Sequence, residues 1–429
     1  MDNTREDFSR EPVPQEKTLS GVHIALVIIG GTIGIPVYLM SAKLGSSLGL
    51  AQAGPAFLMG CLVLGGLGAL TSLSGSRSHL STYMLVAFAF GKRGAKIVNL
   101  IIALSLLGWY AVTMNVFAQA MDSMVFDLSG YSFQHAWYIV IGSLLMCAVS
   151  IAGFQGIDKL ALMLVPIMLL FLLYAALLAT ETRPLSEMLH TQQSALSFSQ
   201  AVSAVIGSYI VGVVIQPDYS RFAKNDRHAM WAVFFALGIS FPIVMLLSAV
   251  PGVATGEQDL VKIMILLGIG VPAFVLLLLG SWSSNVLSLY SSSLSVATIF
   301  TRVHLWQIIV MIGFLGTVLA FLNAQAYLVD FLLLLGIAIP PVAGIYAIEV
   351  LLFRRGHCDV NSLSQEASFN IVAFSAWIGA IIFGWLSQNH AVSLVSVSAI
   401  DSLIVACVLY STLSWSKKAL AKRVFQAER

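Results

Sequence analysis

Charge is what this chain has least of. Asp, Glu, Lys and Arg make up 10% of its 429 residues, against 58% hydrophobic. Soluble domains carry about 25% charged residues, so a water-soluble globular fold is excluded. A formal net charge of +2 leaves no basic surface for nucleic acid. Cysteine is scarce as well. Cys61, Cys147 and Cys407 lie inside apolar runs, and Cys358 stands alone in a polar stretch. That spacing excludes CxxC-type metal sites and a disulfide framework. The serine-rich stretch around Ser284 has no His, Asp or Glu close by in sequence. Without a base beside the hydroxyl there is no activated nucleophile, so the chain is read as neither a membrane hydrolase nor any other enzyme. No organic cofactor and no obligatory protein partner are expected.

What the chain does have is apolar stretches of about 20 residues, the length that crosses a hydrocarbon core of about 30 Å. They recur from Val22 to the region of Trp415. A segment in lipid must satisfy its own backbone, so these are helices. Twelve spans are predicted, at 21–43, 50–75, 95–121, 136–154, 158–180, 197–217, 229–252, 268–299, 304–322, 326–353, 369–388 and 394–414. The fold class is therefore all-α and polytopic. No signal peptide is expected before the first span. Residues 1–19, polar and of mixed charge, are expected to be a disordered cytoplasmic tail, and residues 415–429 a basic cytoplasmic tail. Leu80 to Phe90 is apolar but too short to span, and is predicted to hug the membrane surface as a cytoplasmic helix.

Cytoplasmic loops collect Lys and Arg. With both termini inside, only Lys43, Arg183 and Lys262 of the 22 basic residues fall outside. One span missed or invented in the middle would scramble that split, so the count of twelve has independent support.

Two spans are poorly built for helices. The first holds Gly30-Gly31-Thr32-Ile33-Gly34-Ile35-Pro36, and the sixth holds Gly207, Ser208 and Gly212 before Pro217. Glycine costs a helix about 1 kcal/mol and proline about 3, so both should loosen or break at depth. They lie five spans apart. Paired interruptions in corresponding positions point to a transporter built from inverted repeats, with its site where backbone groups are freed.

The eighth span carries Ser281, Ser284, Asn285, Ser288, Ser292 and Ser295 at intervals of three and four, which forms one polar stripe. It either bonds neighbouring helices or lines a wet cavity. Hydroxyls and freed carbonyls are hard neutral donors suited to sodium. In the third span, Trp109 and Tyr110 sit at mid-depth, away from the interfacial belt where Trp usually collects. Trp109, with Thr113 one turn on, is a candidate stacking platform, and Tyr209 is a second. Glu349, ahead of Arg354 and Arg355, reads as half of a structural ion pair. Asp330 and Asp401 lie near span ends.

Pro12-Val13-Pro14, Gly108-Trp109, Pro217-Asp218-Tyr219-Ser220-Arg221-Phe222, Trp282-Ser283-Ser284-Asn285 and Ile339-Pro340-Pro341-Val342-Ala343-Gly344 together resemble the nucleobase:cation symporter-1 family. The resemblance runs from the tail through the tenth span. It implies a LeuT-like fold with a five-plus-five inverted repeat (20–180 and 197–353), two additional spans within 369–414, and alternating access around a midplane site. It further implies that Trp109 and Tyr209 flank the substrate ring, that Gly207 and Ser208 present backbone to it, and that Asn285 bonds it. For sodium it implies carbonyls of Gly30, Gly34 and Gly280 and hydroxyls of Ser283 and Ser284.

Two departures bear on specificity. Val211 stands where the family's cytosine-carrying branch has a serine that contacts the base, and Tyr209 replaces a phenylalanine. The expected function is sodium-coupled uptake of a nucleobase or related heterocycle, such as cytosine, a modified pyrimidine, a purine or a hydantoin-like ring, across a bacterial inner membrane. Proton coupling is the alternative, and a membrane receptor or enzyme the reading from another class.

Overall fold

A computed structural model describes residues 18–152, 154–190, 196–257, 263, 266–297, 299–300, 302–322 and 327–427. Helices meet every predicted span: Gly21–Thr32 with Ile35–Leu48, then Leu50–Ser78, Gly94–Ser129, His135–Ala152, Phe154–Thr182, Phe198–Val214, Asp226–Thr255, Gly270–Ala297, Leu305–Phe321, Leu328–Phe353, Ile371–Gln388 and Ser398–Ala427. By length and apolarity alone, 7 of the described helices can cross a membrane, or 8 with the bent first pair. The fourth, sixth and ninth are shorter apolar helices.

The sixth span lies at the centre, and glycine lets it lie there. A Cβ on Gly207 would sit 1.9 Å from the carbonyl oxygen of Leu332 in the tenth span, and one on Gly336 would sit 2.7 Å from that of Ser203. On the other side, a Cβ on Gly60 of the second span would strike Val205 at 2.5 Å. These are close approaches that only a missing side chain permits.

This corrects the prediction for the sixth span. The helix runs unbroken through Gly207, Ser208 and Gly212 to Val214, because close packing offsets glycine's poor helix propensity. It breaks at Ile215, and Gln216–Ser220 restarts as a short helix with Pro217 in its first turn. Pro217 has no N–H for the carbonyl of Val213, and the Asp218 N–H turns instead to Ile215. The two freed carbonyls find hydroxyls: Thr71 donates to Val213 at 2.9 Å and Tyr346 to Val214 at 2.8 Å.

Two further expectations change. Thr82–Phe90 is no surface helix, since every one of its residues except Tyr83 is buried. The loop before the eleventh span holds its C-terminal end, with Lys92 N–H donating to Ala367 O, Arg93 N–H to Ser368 O and Asn370 N–H to Phe90 O. The end of the predicted N-terminal tail is paired rather than free. Leu19 N–H donates to Phe222 O at 2.6 Å and Leu19 O accepts from Lys224 at 3.2 Å. Residues 1–17 lie outside the described residues.

The crossing at Gly207 yields a stability prediction. Gly207→Ala drives a methyl into a backbone carbonyl that cannot turn aside, an overpacking worth about 1–3 kcal/mol or more. Thermal unfolding in detergent should show a lowered midpoint. Gly66→Ala, where a Cβ meets nothing within 4 Å, should leave it unchanged.

Candidate functional site

The first span breaks where its sequence predicts. Ile33 N–H still donates to Ile29 O at 3.1 Å, and Gly34 is then extended, with φ −160 and ψ 166. The helix restarts as Val37 and Tyr38 donate to Gly34 O at 3.0 and 3.3 Å, and the two halves meet at 63°. Pro36 falls in the first turn of the second half, where its missing N–H costs nothing. The eighth span reaches this break through Gly280, whose absent Cβ would lie 2.3 Å from the Met168 methyl and 3.4 Å from the Ile33 carbonyl oxygen.

Beside the break is a cavity of about 100 Å³. Gly31 and Gly34 form one wall, Trp109 and Thr113 of the third span a second, Ser208, Tyr209, Val211 and Gly212 of the sixth a third, and Ser284, Ser288 and Ser291 of the eighth a fourth. None of its lining residues is charged. Trp109 is steadied from behind by Phe331, edge to face at 5.7 Å. The Tyr209 ring lies over Gly212, where a Cβ would approach it to 2.6 Å, and its hydroxyl lies over Gly31, 3.2 Å from where a Cβ would be.

Of the residues singled out in the sequence, Trp109, Thr113, Ser208, Tyr209, Val211, Gly34 and Ser284 meet at this cavity. Gly207 packs on Leu332 instead, and Gly280 on the first-span break. Gly30 lies next to the wall residue Gly31 and is not itself in the lining. The backbone of Ser283 belongs to the eighth helix, but its side chain lies outside the described residues. Ser208 turns its hydroxyl back to Val205 O at 2.6 Å.

Asn285 is fully buried. Its Oδ1 accepts from the Thr113 hydroxyl and its Nδ2 donates to Ser281 at 3.3 Å. Ser292 likewise donates to Ala103 O of the third span at 2.9 Å. The polar stripe thus does both jobs, one edge bonding the third span and the other facing the cavity. On the cavity edge, Ser284 Oγ is buried with no hydrogen-bond partner among the described residues.

Sequence reasoning did not select Ile215, Tyr219, Ser291 or Phe331. Tyr219 is legible as the aromatic directly after a Pro-Asp break. Ser291, three residues after Ser288 and four before Ser295, is legible as part of the same stripe. Phe331 carries no signal, because only the fold brings it behind Trp109. Ile215, Tyr219 and Ser291 also line a second cavity of about 110 Å³ toward the face that carries Arg221.

The acids at depth are engaged elsewhere. Glu349 pairs with Arg354 at 2.8 Å and accepts from Tyr410 at 2.8 Å, the structural pair that the sequence suggests. Burial works against the Arg354 charge, yet Glu349 and Glu366 hold its guanidinium above the ordinary value. Asp401, fully buried, accepts from Ser387 and Ser393 hydroxyls and from the N–H groups of Leu394 and Val395. Asp330 is exposed in the first turn of its helix. None of the three lines the central cavity.

One substitution tests whether the Tyr209 ring shapes this wall. Gly212→Ala should push the ring into the cavity and weaken binding of any occupant at least tenfold, while the unliganded protein keeps its unfolding midpoint. Unchanged affinity would mean that the ring is not part of the binding surface.

Residues 12–410 match the family model for permeases of cytosine/purines, uracil, thiamine and allantoin. The chain is 28% identical over 407 residues to the cytosine permease of Escherichia coli strain K12, covering 94% of this chain and 95% of that one. It is 23% identical over 438 residues to the hydantoin permease of Microbacterium maritypicum, covering 94% and 87%. Its fold superposes with a TM-score of 0.83, at 21% identity and 96% coverage of both chains, on Mhp1, a nucleobase-cation-symport-1 family transporter in a closed conformation with bromovinylhydantoin bound. The chain is thus a multi-pass membrane protein of LeuT-like fold and a secondary transporter rather than an enzyme, and it belongs to the cytosine/purine permease family.

Proposed function

We propose that the protein imports an uncharged, planar heterocycle of the nucleobase or hydantoin class by sodium symport, with both termini cytoplasmic. The observation that carries this reading is the uncharged cavity at the first-span break, flanked by Trp109 and Tyr209. A cavity without ion-pairing groups favours a neutral ring, and stacking on aromatic faces contributes about 1–3 kcal/mol per base. The family's range, with a cytosine permease and a hydantoin permease among the relatives, supports the substrate class.

For the cation, the unpartnered Ser284 hydroxyl supports a sodium site at the same wall, with Gly30, Gly34, Gly280 and Ser283 belonging to the proposal through the family resemblance. Sodium is cargo here. At about 100 mV one charge supplies roughly 2.3 kcal/mol, and a tenfold sodium gradient about 1.4 more, enough for accumulation of several hundredfold. Proton coupling is the weaker reading, because Glu349 and Asp401 are held by structural partners and Asp330 is exposed. The inverted-repeat boundaries at 20–180 and 197–353 form part of the same proposal.

Thermal stability of the purified protein against pyrimidines, purines and hydantoins, each in sodium and in choline, tests substrate and ion together, since a ligand of the folded state stabilises it by mass action. One ring class should raise the midpoint, and more so in sodium. Trp109→Ala should abolish the shift, whereas Ser284→Ala should remove its sodium component and spare the sodium-free part. A panel without any shift would remove the substrate assignment, and equal shifts in both salts would remove the sodium assignment.

A further inference from the structure

The cavity nearer the Arg221 face is as large as the central one, about 110 Å³ against about 100 Å³, and the two meet at Ile215, Tyr219 and Ser291. Its walls differ in chemistry. The central cavity offers hydroxyls and aromatic faces. The second presents Tyr83, Tyr219 and Tyr290 together with the amide of Asn99, only 3% exposed, and the oppositely charged Asp218 and Arg221.

These walls are built rather than incidental. Asp218 Oδ1 accepts from the Thr82 N–H at 2.8 Å, which fixes the Thr82–Phe90 helix against the sixth-span break. Arg221, 5% exposed, stacks over Phe222 at 5.0 Å and donates from Nε to Asp218 O at 3.1 Å. Both charged residues are therefore tied into the wall, and their opposite signs leave the cavity suited to a neutral occupant. Three tyrosines in one wall suit a flat ring.

We infer that this cavity is a second, weaker binding site for the same heterocycle on its way out of the central one, an inference that rests on the proposed function. A ring leaving Trp109 and Tyr209 gives up stacking on both. Tyr219, common to both cavities, keeps an aromatic face beside it during the transfer, and Tyr290 and Tyr83 then take over from Trp109 and Tyr209. The second site lacks a tryptophan and is the weaker of the two.

Equilibrium dialysis of the purified full chain with radiolabelled cytosine, uracil and allantoin, each run separately, tests this. With the ring that binds, the wild type should take up two per chain in phases at least tenfold apart in affinity. Leu294→Trp, which fills the second cavity from its wall, should lose the weak phase and keep the tight one, and the retained tight phase shows that the variant is folded. Trp109→Ala should lose the tight phase and keep the weak one. Saturation of the wild type at one ring per chain overturns the second site and leaves the proposed function standing. A weak phase undiminished in Leu294→Trp also overturns it. Binding of none of the three rings to the wild type overturns the second site, and the substrate assignment then stands or falls with the purines and hydantoins of the thermal panel.

Discussion

In a chain surrounded by lipid, every backbone N–H and C=O that leaves a helix ladder needs another partner inside the protein. The arrangement of this transporter follows from how three helix breaks meet that demand. At the sixth-span break, hydroxyls of Thr71 and Tyr346 take the carbonyls that Pro217 strands. At the tenth, Pro340 and Pro341 interrupt the ladder, Val342 N–H donates to Ile339 O, and Trp377 Nε1 takes Ala338 O at 2.8 Å. Protein groups thus close both breaks. The first-span break instead lies on the central cavity, with Gly31 and Gly34 in its wall.

The same constraint leaves hydroxyls and aromatic faces, and no charged group, lining the central cavity. Asn285 accepts from Thr113 and donates to Ser281, and so joins the third span to the eighth. The eighth span lines the cavity with Ser284, Ser288 and Ser291, and Val211 and Ile215 supply an apolar edge. A hydroxyl both donates and accepts, so it tolerates several ring substituents. An apolar edge discriminates by shape, which is worth only about 1–3 kcal/mol per methylene.

Much of this is legible in the residues alone. Span positions follow from apolar length, and the first break from Gly34 and Pro36, because no packing partner overrides a proline two residues after an extended glycine. Trp109 stands out as an aromatic at a depth where aromatics need a reason. The misplacements share a cause. Gly207 reads as a weakness because propensity is local, whereas the Leu332 carbonyl that requires it lies in another span, distant in sequence. Helical spacing puts Asn285 beside Ser284 but cannot show that Thr113 meets it from the third span. The burial of Thr82–Phe90 depends on a loop near residue 370, again beyond the reach of local pattern.

A ring and a sodium ion held at one wall beside the first-span break would move together, so a sodium gradient alone should drive uptake of the ring. Uptake by proteoliposomes under a sodium gradient, with proton and membrane potentials clamped, tests this most directly. The account predicts accumulation of the ring above its external concentration, abolished when sodium is equilibrated across the membrane and indifferent to an imposed pH gradient. Accumulation that follows the pH gradient and ignores sodium would contradict it.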